Sequence, residues 1–149
     1  MSNTLITEEV VKVKADCKTW QEAIHEGVNL LLNVKAVNES YEDAILKNFA
    51  ELGPYMVIAP GIVLSHARPE DGVNKTSMSM LTLETPVEFG SDLNDPVTLV
   101  VTLAAADNTS HMSTLSHLME LFMDNEAMGE IFKASNKEEI LNITNKYEI

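Results

Sequence analysis

What the chain lacks narrows what it can be. It has a single cysteine, Cys17, so no internal disulfide can form, and a reducing cytoplasm is the simplest setting. No apolar run reaches the roughly 18 residues that a membrane-crossing helix needs. The longest, Val97 to Ala106, is interrupted by Thr98 and Thr102 and reads as a buried strand. The first residues carry neither a basic segment nor a long apolar one, so no secretory signal is expected. Positive charge is scarce: 10 Lys and Arg against 23 Asp and Glu give a formal charge of −13. Nucleic acids and anionic lipid surfaces call for a basic face, so neither is expected as a partner; the acidic surface suits a basic protein partner, or is simply the acidic surface common among bacterial cytoplasmic proteins. There is no glycine-rich phosphate loop, Walker lysine motif, Gly-x-Ser-x-Gly elbow or Cys-x-x-Cys pair. Without a nucleotide site the chain has no means of making a high-energy phosphate itself, and no cofactor or metal is expected.

What is present suits one ordinary domain spanning 1–149, with 45% apolar residues to build a core. Val10, Val11, Val13 and Ala15, mixed with lysines, predict a first strand. Thr19 followed by Glu22 is a capping-box pattern, and Trp20, Ala23, Ile24, Val28, Leu31 and Leu32 recur after it at helical spacing. Ser40 and Asp43 open a second helix carrying Ala44, Ile45, Phe49 and Leu52, which Pro54 closes. Short apolar runs then alternate with turns: Met56–Ala59, Ile62–Leu64, Met78–Leu83, Val87–Phe89 and Val97–Ala105. Helical spacing returns from Ser110 to Asp124, continues to Ala134, and ends in a helix capped by Ser135 and Glu138 that runs to about Tyr147. Helices on either side of a block of strands predict an α/β domain, a mixed sheet covered by helices.

The segment from Ala59 to Glu70 is the most informative in the chain. Pro60 and Gly61 bend it, a short apolar strand follows, and His66 emerges at the strand's end before the polar turn Arg68 to Gly72. Strand ends in α/β sheets are where ligand chemistry tends to sit, although a histidine there can also be a plain surface residue. Arg68 reads either as a phosphate or carboxylate anchor or as a solvated turn residue. The second candidate is Asp107 to His111. Here a strand ends, Asn108 to Ser110 supply capping side chains, and His111 falls in the first turn of a helix. A 3.6-residue period groups it with Met112, Leu115, Leu118, Met119 and Phe122, so it faces inward, where the helix dipole attracts anions and favours a neutral imidazole. A core histidine bonded to a carbonyl is the plainer alternative. His117 falls on the opposite side with Ser113 and Glu120. His25 and Cys17 stand in no pattern that marks chemistry, and the eight methionines read as core filler.

The stretches "APGIVLSHARPEDGVNKTSMSMLTLETPVEF" and "DPVTLVVTLAAADNTSHMSTLSHLMELF" resemble the enzyme IIA components of the phosphoenolpyruvate-dependent sugar phosphotransferase system, mannitol–fructose superfamily. "HARPE" followed by "GVN" is most similar to the L-ascorbate-specific type. The resemblance covers nearly the whole chain and implies the mannitol/fructose-type IIA fold. It implies that His66 accepts a phosphoryl group from the histidine phosphocarrier protein HPr and passes it to enzyme IIB, which energises uptake by the membrane component IIC. It also implies that His111 assists the phosphorylated residue. Two departures stand out: Ser65 occupies the place before the active histidine where many relatives carry proline, and the helix from Tyr41 to Leu52 has Lys47 but no arginine. Ser65 and Arg68 are therefore candidate phosphate-binding residues, Arg68 in place of the missing arginine. His111 and the backbone amides after His66 are the expected donors to the phosphoryl oxygens.

Two other readings use the same residues. A regulatory domain sensing phosphotransferase flux needs both histidines equally. A metal-dependent hydrolase built on His66, His111 and a carboxylate such as Asp71 has no pre-arranged ligand pair in the sequence to support it.

Overall fold

The computed structural model describes residues 4–149. Thr19 opens helix α1 (Trp20–Asn33) by accepting a hydrogen bond from the Glu22 amide on its hydroxyl. The Glu22 carboxylate in turn accepts one from the Lys18 amide at 2.7 Å. The stripe Ala23, Ile24, Val28 and Leu31 is buried, as its helical spacing predicts. Helix α2 (Ser40–Leu52) differs from expectation at both ends. Ser40 does not cap it, because its hydroxyl donates to the Asp71 carbonyl at 2.8 Å instead. The helix is closed one residue before Pro54, by Gly53 at φ +80, whose amide donates to the Phe49 carbonyl.

The strands are β1 (Val11–Ala15), β2 (Val57–Ala59), β3 (Ile62–Ser65), β4 (Ser77–Val87) and β5 (Val97–Ala104), in the order β1-β4-β5-β3-β2. Pairings β1–β4 and β3–β5 are parallel, whereas β4–β5 and β2–β3 are antiparallel, so the sheet is mixed as predicted. The run read as Met78–Leu83 continues as one strand, β4, to Val87, the first residue of the run read as Val87–Phe89, while Glu88 and Phe89 lie beyond it. Its exposed residues Glu84, Thr85 and Pro86 break the apolar pattern without breaking the strand, which returns to the core at Val87. On the other side of the chain follow α3 (Met112–Phe122), α4 (Asn125–Lys133) and α5 (Lys137–Lys146). Asp124 caps α4, and Asn136 caps α5 one residue later than Ser135 had suggested.

Helices cover both faces of the sheet. One face packs Val63, Leu81, Val100 and Ala104 against Ile24, Val28, Leu31, Tyr41 and Ile45 of α1 and α2. The opposite face packs Leu64, Met80, Leu99 and Val101 against Leu118, Leu121, Ile131 and Ile140 of α3 to α5. Gly27 lets α1 lie against the centre of the sheet: a Cβ there would stand 2.5 Å from Thr102 Oγ1. Ser79 fixes the same contact by donating to the Gly27 carbonyl at 2.8 Å.

Candidate functional site

His66 stands one residue past β3, where alternation puts it on the face of Leu64, the side covered by α3 to α5. Its Nδ1 lies 2.9 Å from the Leu64 carbonyl. A carbonyl can only accept, so Nδ1 carries the proton and Nε2 keeps its lone pair. The Tyr55 ring meets the imidazole edge-on, with centroids 6.2 Å apart and planes at 84°. Two independent contacts thus set the ring's orientation.

In front of it lies a small cleft of about 170 Å³ lined by His66, Ala67, Pro69, Leu103, Ala105, Asp107, Asn108 and His111. The two histidines far apart in sequence therefore share one cleft. His111 is the N-cap residue of α3, not part of its first turn. Its Nδ1 is buried without a hydrogen-bond partner, an uncommon state for a buried polar atom. The plain core histidine tied to a carbonyl is thus not what the structure has. The start of α3 otherwise differs from expectation. No side chain caps it: Asn108 to Ser110 do not, and the Asp107 Oδ1 accepts from the Thr109 amide at 2.8 Å and the Ser110 amide at 2.6 Å in the turn before the helix. Those bonds, Ser110 first, hold the Asp107 carboxyl below the usual carboxylate range. Along α3, Thr114, Leu118 and Leu121 face the core, while Met112 is 59% exposed rather than inward. His117 sits with its Nδ1 3.3 Å from the Glu148 carbonyl.

Neither of the other two phosphate-binding candidates lines the cleft. Ser65 is completely buried on the α1–α2 side, one position out of phase with His66, and its Oγ has no partner. Arg68 is exposed on the turn, and Asp71 accepts the Arg68 amide at 3.0 Å, which spends that carboxylate on the turn. Among the described residues no three His, Cys, Asp or Glu gather as a metal-holding group. The backbone amides after His66, expected as donors, are both occupied: that of Arg68 by Asp71, and that of Ala67 by the Tyr41 hydroxyl at 3.0 Å.

Tyr41 is the residue that sequence reading missed. Nothing in "SYEDAIL" separates it from an ordinary apolar helix position. It is fully buried, donates to the Leu103 carbonyl at 2.6 Å, and burial pushes its hydroxyl pKa up to about 12. Beside the cleft, an apolar groove of about 440 Å³ runs along α3 between Leu115, Met119, Phe122 and Met123 on one side and Ile58, Ala59 and Leu64 on the other. Ile58 and Met123 are 41% and 83% exposed.

The chain resembles known proteins over nearly its full length. A family model described as phosphoenolpyruvate-dependent sugar phosphotransferase system, EIIA 2, matches residues 4–147. An ascorbate-specific PTS system EIIA component of Escherichia coli (strain K12) is 37% identical over 147 residues, covering 98% of this chain and 96% of that protein. The solution structure of the mannitol-specific cryptic phosphotransferase enzyme IIA of Escherichia coli superposes with a TM-score of 0.86 at 36% identity, covering 95% of this chain and 96% of that one. The mannitol enzyme IIA in its complex with phosphorylated enzyme IIB, also from Escherichia coli, shares the fold with a TM-score of 0.82 at 22% identity, over 95% of this chain and 97% of that one.

Proposed function

The chain belongs to the EIIA 2 family of the phosphoenolpyruvate-dependent sugar phosphotransferase system, a phosphotransferase component that carries phosphate to enzyme IIB, and on that premise we propose that His66 is the carrier residue. In this reading residues 1–149 are one EIIA domain of the cytoplasm, charged by HPr and discharged to IIB, with IIC an indirect partner. Among the described residues no helix is long and apolar enough to cross a membrane. The sugar is L-ascorbate, by analogy with the ascorbate-specific relative and the "HARPE" and "GVN" segments.

The observation that carries the proposal is the 2.9 Å contact from His66 Nδ1 to the Leu64 carbonyl, at a cleft that His111 also lines. It leaves Nε2 as the nucleophile. The Nε2 lone pair attacks phosphorus in line, the phosphorus–nitrogen bond to the donor histidine breaks, and its electron pair stays on the donor imidazole. The His66 ring gains positive charge as the bond forms, and the Leu64 carbonyl stabilises it through the strengthened Nδ1–H bond. His111 stabilises charge on the equatorial oxygens. The groove along α3 and its methionines give two different partner proteins an adaptable apolar surface beside the same atom.

The test is incubation with phosphoenolpyruvate, enzyme I and HPr, then mapping of the label. One acid-labile, base-stable phosphoryl group per chain on His66 Nε2 is expected, and none on a folded His66→Ala protein. Undiminished labelling of that variant refutes the assignment.

A further inference from the structure

The ladder between β3 and β5 stops at the Ser65–Thr102 pair. Carrying the parallel register two residues further would pair Ala67 with Ala104, and its hydrogen bond would run from the Ala67 amide to the Leu103 carbonyl. Those are the two groups that the Tyr41 hydroxyl engages, accepting from Ala67 N at 3.0 Å and donating to Leu103 O at 2.6 Å. A direct amide–carbonyl bond would hold the two atoms about 2.9 Å apart. With a hydroxyl inserted the bond becomes two bonds in series, and the strands part at that level. Ala67 and Leu103 both line the cleft that His66 and His111 share. Tyr41 comes from α2, outside either strand, and is fully buried.

We infer that the Tyr41 hydroxyl is a wedge that sets the width of the cleft, parting the His66 strand from the strand that leads to His111, and is thereby a positioning residue for phosphoryl transfer. The inference rests on His66 being the carrier residue. Tyr41 touches no reacting atom. It fixes the residue after His66 at a point where the sheet no longer does, and the same hydroxyl fixes Leu103, eight residues before His111. Its buried, neutral hydroxyl satisfies one donor and one acceptor at once, which an apolar ring of the same shape cannot do.

The experiment compares native protein with Tyr41→Phe in transfer from phosphorylated HPr and onward to IIB. A displacement of the His66 ring of about 1 Å costs transfer about 100-fold, so kcat falls by that order while KM for HPr stays within about twofold. The 15N spectrum of the native His66 ring shows a single Nδ1–H tautomer, and that of the variant a mixture. Amide exchange supplies a readout that needs no variant: in native protein the Ala67 amide is protected to the level of the β3 amides. A folded Tyr41→Phe protein with native kcat and native His66 spectrum overturns the inference, as does an Ala67 amide that exchanges like a free turn. Absence of any label on native His66 overturns the carrier reading and this inference with it, whereas a labelled native protein beside an unaffected variant overturns the inference alone.

Discussion

Gly27→Ala and Gly129→Ala are the same substitution in two helices, and the structure gives them opposite signs. In isolation, alanine is favoured over glycine inside a helix by about 1 kcal/mol. At Gly129, in α4, an added Cβ meets nothing within 4 Å, so that gain is realised almost whole. At Gly27 the Cβ would stand 2.5 Å from Thr102 Oγ1 and 3.4 Å from Val100 Cγ1. Thr102 is fully buried on β5, between β3 and β4, and is branched at Cβ, so its hydroxyl has little room to turn away. The helix must lift or the strand must yield, and overpacking of this kind costs about 1–3 kcal/mol. Ser79 resists the lift, because it holds the Gly27 carbonyl. With both the helix and the strand held, the cost falls in the upper part of that range, about 2–3 kcal/mol. Net of the propensity gain, Gly27→Ala is destabilising by about 1–2 kcal/mol, or about 3–6 °C in Tm for a chain of this length, while Gly129→Ala raises Tm by about 2–3 °C. Urea denaturation of both variants and of Gly27→Ala/Thr102→Ala measures the coupling, since removing the Thr102 hydroxyl makes room for the new methyl and the double variant should recover most of the loss. A Gly27→Ala protein as stable as native, or a double variant with strictly additive losses, refutes the close-approach argument.

Four further outcomes are expected. His111→Ala should still accept phosphate but pass it to IIB roughly 100-fold more slowly, and His111→Gln should recover part of that rate, because an amide can still donate; transfer at the native rate would make His111 a bystander. Met123→Asp, in the exposed groove, should weaken HPr or IIB binding about tenfold or more in titration calorimetry while leaving Tm within about 1 °C, and unchanged affinity would remove the groove from the interface. Cys17 should react with iodoacetamide at pH 8 much more slowly than a free thiol, since burial first, and Glu26 after it, push its pKa up and keep the thiolate scarce; a rate equal to that of free cysteine refutes this. Deletion of the protein should abolish phosphotransferase uptake of L-ascorbate and spare mannitol and fructose, and loss of growth on a hexitol with normal growth on ascorbate would point to a different sugar.

Much of the layout was legible in local patterns. The Thr19 cap, the α1 stripe and the placement of His66 at a strand end follow from spacings of two to four residues, which a sequence displays directly. Tyr41, by contrast, acts through partners 26 and 62 positions away, and no local pattern encodes such a bond. Ser65 was misleading for a related reason. It adjoins His66 in sequence, but alternation along a strand sends neighbours to opposite faces, and the sheet that seals Ser65 on the α1–α2 side separates it from the cleft. The cap of α3 failed because Asp107 to Ser110 close a turn of their own: Asp107 accepts from the Thr109 and Ser110 amides before the helix begins, and leaves His111 in the N-cap place with no side-chain cap.

The sheet's borders carry a consequence for how other proteins can engage the molecule. On one side β1 bears Lys12 and Lys14, loses register between Lys12 and Ala15, and turns the Lys14 amide to the Thr82 hydroxyl with Lys14 at φ 55. On the other, β2 is three residues long with a register shift of its own, and Pro60 follows it at once. Neither border offers the straight row of free main-chain groups that an incoming strand requires. Recruitment by backbone pairing is tolerant of sequence, since every residue has the same amide. Recruitment by side chains is not, so with the groove as the proposed docking surface the choice of client rests on replaceable residues such as Ile58, Met119 and Met123, and a lineage could trade one client for another by a few substitutions while the sheet stays as it is.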